Sequence, residues 1–366
     1  MDYFHIWFIV IVFSYIVILF SFMHFSIKAD FLNNVIGFMA LTFVLIHILL
    51  FLLLMNQEIS LRPVIIPVWI LALSTPIFFV SILIGISTLL AHGYKKSGKD
   101  FSKFSKKLEE KNEGWSKAKK DSLRKLNHVF IFLGLLLVWY VGLLIVIYFA
   151  NSTSGMIPDE NNTLLQYYKI IFKQSSIKEV LFSFGWFFYI LFFFFYLFCI
   201  IILATEFTRK SKHLFFPFTI FTKIYLTNEE TQSYGSYLYF AIGHLFAAFI
   251  CPPMIFFTIL GISSISDLVT SQIGIRFGKR SIPWNKKKTW EGSISGVLAT
   301  FLISFIFVGV FWSIIFALAF LFFDIITSKP INMSDNLLIP IGCSLIFIVI
   351  RFYLNLDYFT ILLIWF

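Results

Sequence analysis

The sequence predicts an all-α membrane protein, a polytopic helical bundle with about 8–10 transmembrane helices. Of the 366 residues, 59% are hydrophobic and 13% are charged, whereas a soluble domain has roughly 45–50% apolar and about 25% charged residues. Apolar runs of about 20 residues recur, and a helix of that length crosses a hydrocarbon core of about 30 Å. These runs are long and unbroken, whereas the strands of a β-barrel are short and alternate apolar with polar residues. Since a helix also pairs its backbone polar groups within one segment, helices are favoured over a β-barrel.

Nine apolar runs predict the spans. They lie near residues 3–27, 33–55, 64–91, 128–150, 179–205, 236–252, 254–273, 294–326 and 337–353. The run 294–326 fits either one long tilted helix or two short helices that meet near Gly309. The first run lacks a basic start and a small-residue cleavage site, which favours a retained span over a cleaved signal peptide.

The charge pattern predicts which loops face the cytoplasm. The formal net charge of +10 indicates a cytoplasmic loop bias rather than nucleic-acid binding. Segment 92–127 carries a dozen lysine and arginine residues, and loops 206–235 and 274–293 carry the next basic clusters. Loop 151–178 is predicted to be external and contains two possible glycosylation acceptors, at Asn151 and Asn161. The three cysteines have neither metal-site spacing nor the pattern of a disulfide framework.

The strongest candidate site is the polar stretch from Ser266 to Gly296, because ionisable groups beside spans are functional candidates by default. It combines carboxylates, glycines, lysines and hydroxyl side chains at a predicted membrane surface. Glycines let backbone N–H groups approach phosphate oxygens, lysines neutralise phosphate charge, and a carboxylate with phosphate oxygens suits magnesium. The alternative is an ordinary basic loop whose threonine or serine caps the next helix. No P-loop pattern is present.

Three smaller polar groups stand beside other spans. Arg124, Lys125 and His128 precede one span, and their alternative interpretation is a positively charged flank on the cytoplasmic side. Glu206 and Arg209 can pair on one helix face, with Glu229 and Glu230 following, and the alternative is a surface ion pair. Asp335 and Asn336 precede the last span, where they can instead cap a helix.

Taken together, these residues resemble the motifs of the CTP-dependent lipid kinases, a family that includes dolichol kinase, phytol kinase and a CTP-using diacylglycerol kinase. The similar motifs are Arg-Lys-x-x-His at 124–128, Glu-x-x-Arg at 206–209, an acidic residue at Glu230 before a glycine-containing span, the stretch 267–296, and Asp-Asn-x-x-Ile-Pro at 335–340. They follow the order of the family over about 124–340. Ser266 stands where the family usually has glycine, and Asp324 where it often has glutamate.

The resemblance implies a site for CTP and a divalent cation such as Mg²⁺. Asp267 and Asp335 are the implied metal ligands, with Asp335 alternatively the base for the lipid alcohol. Lys288 and Glu291 complete the implied catalytic set, and Glu291 would orient a lysine or join the metal shell. The implied nucleotide-binding residues are Gly274, Gly278, Lys279, Lys286, Lys288, Thr289, Gly292, Ser293, Asn336, Arg124, Lys125, His128, Glu206, Arg209 and Glu230.

The same resemblance divides the chain into extra spans at 1–92, a basic loop at 93–127 and a kinase-like membrane domain at 128–366. The expected partners are the bilayer, a lipid alcohol and CTP. The expected location is the plasma membrane in a prokaryote or the endoplasmic reticulum in a eukaryote. For Asp335 to share a side with Asp267, the segment 294–326 must cross twice or turn back.

Other functions remain open from the sequence. The first is a phosphatidate cytidylyltransferase, to which these kinases are distantly similar, although the Lys-Asp, His-Gly-Gly and Asp-Arg patterns of that family are missing here. The second is a catalytically inactive member of the kinase family. A transporter or membrane scaffold is less consistent with the sequence, because no internal repeat is found and the polar groups lie at span ends.

Overall fold

The computed structural model describes residues 3–26, 30–57, 65–97, 115–153, 185–222, 226, 230, 232–327, 329–354 and 356. It confirms the predicted all-α polytopic architecture. Residues 154–178 of the predicted external loop, residues 98–114 of the basic segment, Glu229 and the tail after 356 lie outside the described residues.

Helices make up nearly all of the described chain, with one short antiparallel β-hairpin. The helices are α1 (Tyr3–His24), α2 (Phe31–Gln57), α3 (Ile65–Lys96), α4 (Lys117–Thr153), α5 (Gly185–Lys210), α6 (Phe218–Thr222), α7 (Ser236–Ile250), α8 (Pro253–Gly261), α9 (Asp267–Phe277), α10 (Trp290–Ile326) and α11 (Asp335–Leu354). The strands are β1 (Ser281–Ile282) and β2 (Asn285–Thr289). Within this part of the chain, seven helical stretches are long and apolar enough to cross a membrane: α1 to α5, the continuous stretch α8–α9, and α10.

The chain forms two compact units, each built from two separate segments. The first comprises Met1–Lys120 with Phe193–Ile242, and the second comprises Asp121–Phe192 with Gly243–Phe366. In the first unit, the buried Tyr196 hydroxyl donates a hydrogen bond to the carbonyl of Leu73 at 3.0 Å and lies 3.1 Å from the hydroxyl of Tyr15. Such bonds satisfy polar groups that would otherwise be costly inside an apolar bundle.

A π-helical segment separates α8 from α9 in the second unit. Pro253 starts α8, where its missing N–H removes no helical hydrogen bond. Residues Ile262–Ser266 then form one wide turn, and the backbone N–H of Asp267 bonds to the carbonyl of Ile262. The extra residue of a π-bulge changes which side chains face a given direction, and such turns occur frequently at functional sites.

Helix α10 turns back on itself at Gly309. The backbone there has φ 81° and ψ 176°, a conformation essentially restricted to glycine. The two ends of α10 consequently meet, since Ser293 donates a hydrogen bond to Asp324 at 2.5 Å and Phe320 packs against Gly296. The halves, 290–308 and 310–326, are about 28 Å and about 25 Å long at ~1.5 Å per residue. Of the two alternatives left open for 294–326, two helices meeting at Gly309 is the observed one.

Candidate functional site

The start of α10 packs directly on α9, and Thr289 organises the contact. Its side-chain oxygen accepts a hydrogen bond from the N–H of Gly292 at 3.3 Å and so caps α10, as the alternative interpretation of this loop expected. The same side chain lies against Gly274 and Gly278. A Cβ on Gly292 would lie 2.7 Å from the carbonyl oxygen of Thr270. The three glycines predicted to approach phosphates therefore face protein atoms, where they let α9 and α10 come close.

We expect Gly292→Ala to destabilise the protein by about 1–3 kcal/mol, because the added methyl group has no space between α9 and α10. The measurement is the thermal unfolding of the detergent-solubilised protein. Gly134→Ala is the matched control, since no atom outside α4 lies within 4 Å of a Cβ at that position, and it should be neutral or slightly stabilising. Equal losses in the two variants would show that this contact is not tight.

Asp267 and Lys125 form a buried ion pair at the start of α9. Lys125 Nζ donates to Asp267 Oδ1 at 2.7 Å and to the Asp267 backbone carbonyl at 3.0 Å. The two side chains are 6% and 8% exposed. A charge without a partner is costly in a bundle of apolar helices, so each residue keeps the other in place. Lys125 is therefore a buried, paired residue of the site.

Lys288 of β2 connects two further carboxylates. Its Nζ lies 2.6 Å from Asp324 Oδ1 and 3.4 Å from Asp335 Oδ2. Asp324 is 1% exposed and also accepts the hydroxyl hydrogen of Ser293. Burial by itself would lower the pKa of Lys288, but Asp324, Asp335 and Asp267 outweigh it and raise that pKa well above its usual value. Lys288 therefore stays protonated throughout the physiological range.

The β-hairpin is held against the end of α10, which brings Lys288 to Asp324. Trp284 donates its indole N–H to the carbonyl of Ile325 at 3.1 Å. The side-chain amide of Asn285 donates to the carbonyls of Ile325 and Thr327. These bonds satisfy carbonyl groups at the end of the helix, which have no partner within it.

Two lysines and three aspartates lie together in one cluster. The lysines are Lys125 and Lys288, and the carboxylates are those of Asp267, Asp324 and Asp335. Burial opposes ionisation of Asp335, the first residue of α11, but Lys288 and Lys125 outweigh it and hold its pKa well below the usual range. The sequence did not identify the contact of Asp324 with Lys288. The available signal in the sequence was that Asp324 is a single carboxylate within a long apolar run.

Arg124 lies beside the cluster and pairs with Asp121, one helical turn earlier on α4, at 3.3 Å. Asp121 also accepts hydrogen bonds from Ser271 and Gln272 of α9. Sequence reasoning missed Asp121 because it sits within a strongly basic segment. Its spacing of three residues before Arg124 was the available signal.

His128 and Asn336, two predicted nucleotide-binding residues, are buried in the same unit. Each is 7% exposed. His128 lies within electrostatic range of Lys125 and Asp335. The backbone N–H of Asn336 donates to Asp335 Oδ1 at 3.0 Å, and its carbonyl faces Gly243, where a Cβ would lie 2.9 Å away.

The remaining predicted residues of this stretch lie toward its surface. Glu291 accepts the backbone N–H of Arg280 at 3.2 Å, so the contact observed for this carboxylate is with the backbone of the loop before β1. The expected contact of Glu291 with a lysine is not found among the described residues. Lys279 and Lys286 are exposed. Their charges therefore face solvent, where an incoming anion can reach them.

Glu206, Arg209 and Glu230 belong to the first unit, where they order the start of α7. Arg209 binds Glu206 through two nitrogens at 3.0 Å and 2.5 Å, which confirms the predicted pairing on one helix face. Glu206 is fully buried and also accepts the hydroxyl hydrogen of Tyr237. Glu230 accepts the N–H of Ser236 at 2.9 Å. The alternative of a surface ion pair is therefore wrong for Glu206.

The carboxylates fit a magnesium ion that a nucleotide helps to hold. Within the described residues, no group of three or more His, Cys, Asp or Glu side chains could hold a metal ion. Mg²⁺ commonly binds through one or two carboxylates, with water and substrate phosphates completing its shell. One oxygen of Asp267 binds Lys125, and the other makes no hydrogen bond with the described residues. The side chain of Asp335 is 27% exposed, whereas that of Asp267 is buried.

Comparisons of the chain with protein-family models, with curated proteins and with solved structures found no match.

Proposed function

We propose that this protein is a membrane enzyme that transfers the γ-phosphoryl group of CTP to the hydroxyl of a lipid alcohol of the dolichol, polyprenol or phytol type. One observation carries the proposal: residues from three distant segments, 124–128, 267–293 and 324–336, meet in one cluster of lysines and carboxylates. These segments contain three of the five motifs in which the sequence resembles the lipid kinases. The cluster lies at helix ends, where a nucleotide from the cytoplasm and a lipid head group can meet.

The carboxylates of the cluster are the reason for proposing a divalent cation. Without a cation, an ionised carboxylate beside a bound triphosphate would disfavour its binding. Asp267 and Asp335 would hold Mg²⁺, which would offset the charge of the phosphates. The exposed Lys279 and Lys286 add positive charge at the entrance, as phosphate recognition requires.

Each residue of the cluster has a distinct role in positioning. Lys125 fixes the carboxylate of Asp267, and Ser293 with Asp324 fixes Lys288, which remains charged. Because Lys288 and Lys125 hold the pKa of Asp335 low, that carboxylate is a weak base. The low pKa favours a role for Asp335 in holding the cation over one in removing the proton of the lipid alcohol.

The reaction breaks the bond from the γ-phosphorus to the oxygen that bridges it to the β-phosphate and forms a bond from that phosphorus to the lipid oxygen. CDP leaves and the hydroxyl proton passes to solvent. Phosphoryl transfer depends mainly on positioning and charge stabilisation. A cluster of fixed lysines and carboxylates suits this requirement.

The test uses purified protein, Mg²⁺, a panel of lipid alcohols and CTP labelled either at the α- or at the γ-phosphate. A kinase places the γ label on the lipid alcohol. A cytidylyltransferase, assayed with phosphatidate, places the α label on the lipid. A chelator should abolish transfer, and added Mg²⁺ should restore it. Absence of label from every lipid would overturn the proposal and favour an inactive family member.

A further inference from the structure

An apolar groove lies within the second unit between α4, the π-helical segment and the first half of α10. Its volume is about 560 Å³, within the range of about 300–1,000 Å³ typical of ligand pockets. Every lining residue is apolar or aromatic: Phe132, Leu133, Leu136, Leu137, Trp139, Tyr140, Ile265, Ile303, Ile306 and Phe307. None of them takes part in the charged cluster.

The groove opens toward lipid rather than water. Its walls belong to three of the stretches that are long and apolar enough to cross a membrane. Leu137 at its edge is 63% exposed, and Leu133 and Ile306 are 49% and 45% exposed. Along α4 the groove extends from Phe132 to Tyr140, about 12 Å at ~1.5 Å per residue. That length is a little over two helical turns, which is short for a transmembrane partner helix and suitable for a hydrocarbon chain.

The groove lies along the same helix as Lys125 of the charged cluster and begins about two helical turns after it. Phe132 lies four residues after His128 and seven after Lys125, so these three side chains share one face of α4. Ile265 precedes Asp267 by two residues. Along α4, the groove begins about 10 Å from Lys125 and ends about 22 Å from it. A lipid whose hydroxyl group lies at Asp267 can therefore extend its chain into the groove.

We propose that this groove binds the hydrocarbon chain of the acceptor and selects single-chain alcohols about 20 chain atoms long or longer. The inference rests on the proposed function, because it takes the charged cluster as the place of the hydroxyl. An extended chain advances about 3.5 Å over three bonds. About nine bonds reach the groove and about 19 fill it. For an isoprenoid alcohol with four chain carbons per unit, filling begins at about the third unit and is complete at about the fifth.

The first test compares kcat/KM for prenols of increasing length. It should rise steeply between about two and five isoprene units and then level off. Leu136→Trp fills the groove and should lower kcat/KM for a five-unit prenol by about tenfold or more, while a one-unit prenol is unaffected because it does not reach the groove. Val138→Trp is the matched control. Val138 lies on the same helix, is 47% exposed and does not line the groove, so both substrates should react as in the unmodified protein.

A second readout does not depend on transfer. A five-unit prenol with a photoreactive group at its far end should label peptides that contain residues 132–140 or 303–307, and excess prenol should compete. Labelling elsewhere, competition by any phospholipid, or equal effects of the two tryptophan variants would overturn the groove assignment. If no alcohol is phosphorylated but the labelling pattern is as expected, the proposed function fails while the groove remains a lipid-chain site.

Discussion

Replacing Asp267 by asparagine is expected to abolish phosphoryl transfer while leaving the protein inserted in the membrane. Asparagine has nearly the same shape but cannot supply the negative charge that the proposed site uses to hold a divalent cation. The measurement is transfer of the γ label from CTP to a lipid alcohol by purified protein. Full activity in this variant would refute the assignment of Asp267.

Loss of activity in that variant must be separated from loss of the fold. Without Asp267, the charge of Lys125 is buried and unpaired, which costs about 3–5 kcal/mol. The double variant Asp267→Asn with Lys125→Met removes both charges. We expect it to regain much of the thermal stability and to remain inactive. Recovery of stability without activity shows that the single variant is not inactive merely because it unfolds, whereas recovery of both would assign the carboxylate to the fold alone.

Replacing Lys288 by methionine is expected to give a large loss of stability. Asp324 is 1% exposed and would lose the cation that lies 2.6 Å away. Breaking a buried ion pair from one side costs about 3–5 kcal/mol. Thermal unfolding in detergent measures the effect, and Asp324→Asn added to the same chain should restore part of it.

Lys286→Met is the matched control for stability. Lys286 lies two residues earlier on the same strand and is exposed. Its replacement should change the free energy of unfolding by less than about 0.5 kcal/mol. If Lys286→Met and Lys288→Met have similar effects on unfolding, the contacts of Lys288 with Asp324 and Asp335 do not contribute to stability.

The positions of the long helices could be predicted from the sequence because a helix buried in lipid needs a long apolar run. Each such run can be recognised by itself, without knowledge of its contacts with other segments. The turn at Gly309 could not be decided that way. A glycine in an apolar run fits both a continuous helix and a reversal, and the backbone angles of Gly309 with the contact of Ser293 and Asp324 distinguish them.

The pairings between residues of distant segments could not be predicted from the sequence. Lys125 and Asp267 are 142 residues apart, and a lysine before a span fits a solvated flank as well as a buried partner. The glycines of 274–292 illustrate a second limit. Their lack of a Cβ indicates that other atoms approach closely, and in the structure these atoms belong to α9, to the start of α10 and to Thr289 of β2.

The membrane sidedness of the two loops that flank α10 tests the central claim most directly, because the site exists only if both ends of α10 lie on one side. Lys286 and Lys329 are exposed in these loops. Single cysteines at either position, in a chain whose three buried cysteines are replaced by alanine, are treated in sealed vesicles with a membrane-impermeant maleimide. We expect both to react from the same side. Reaction from opposite sides would mean that α10 crosses once and that Asp335 cannot share a site with Asp267.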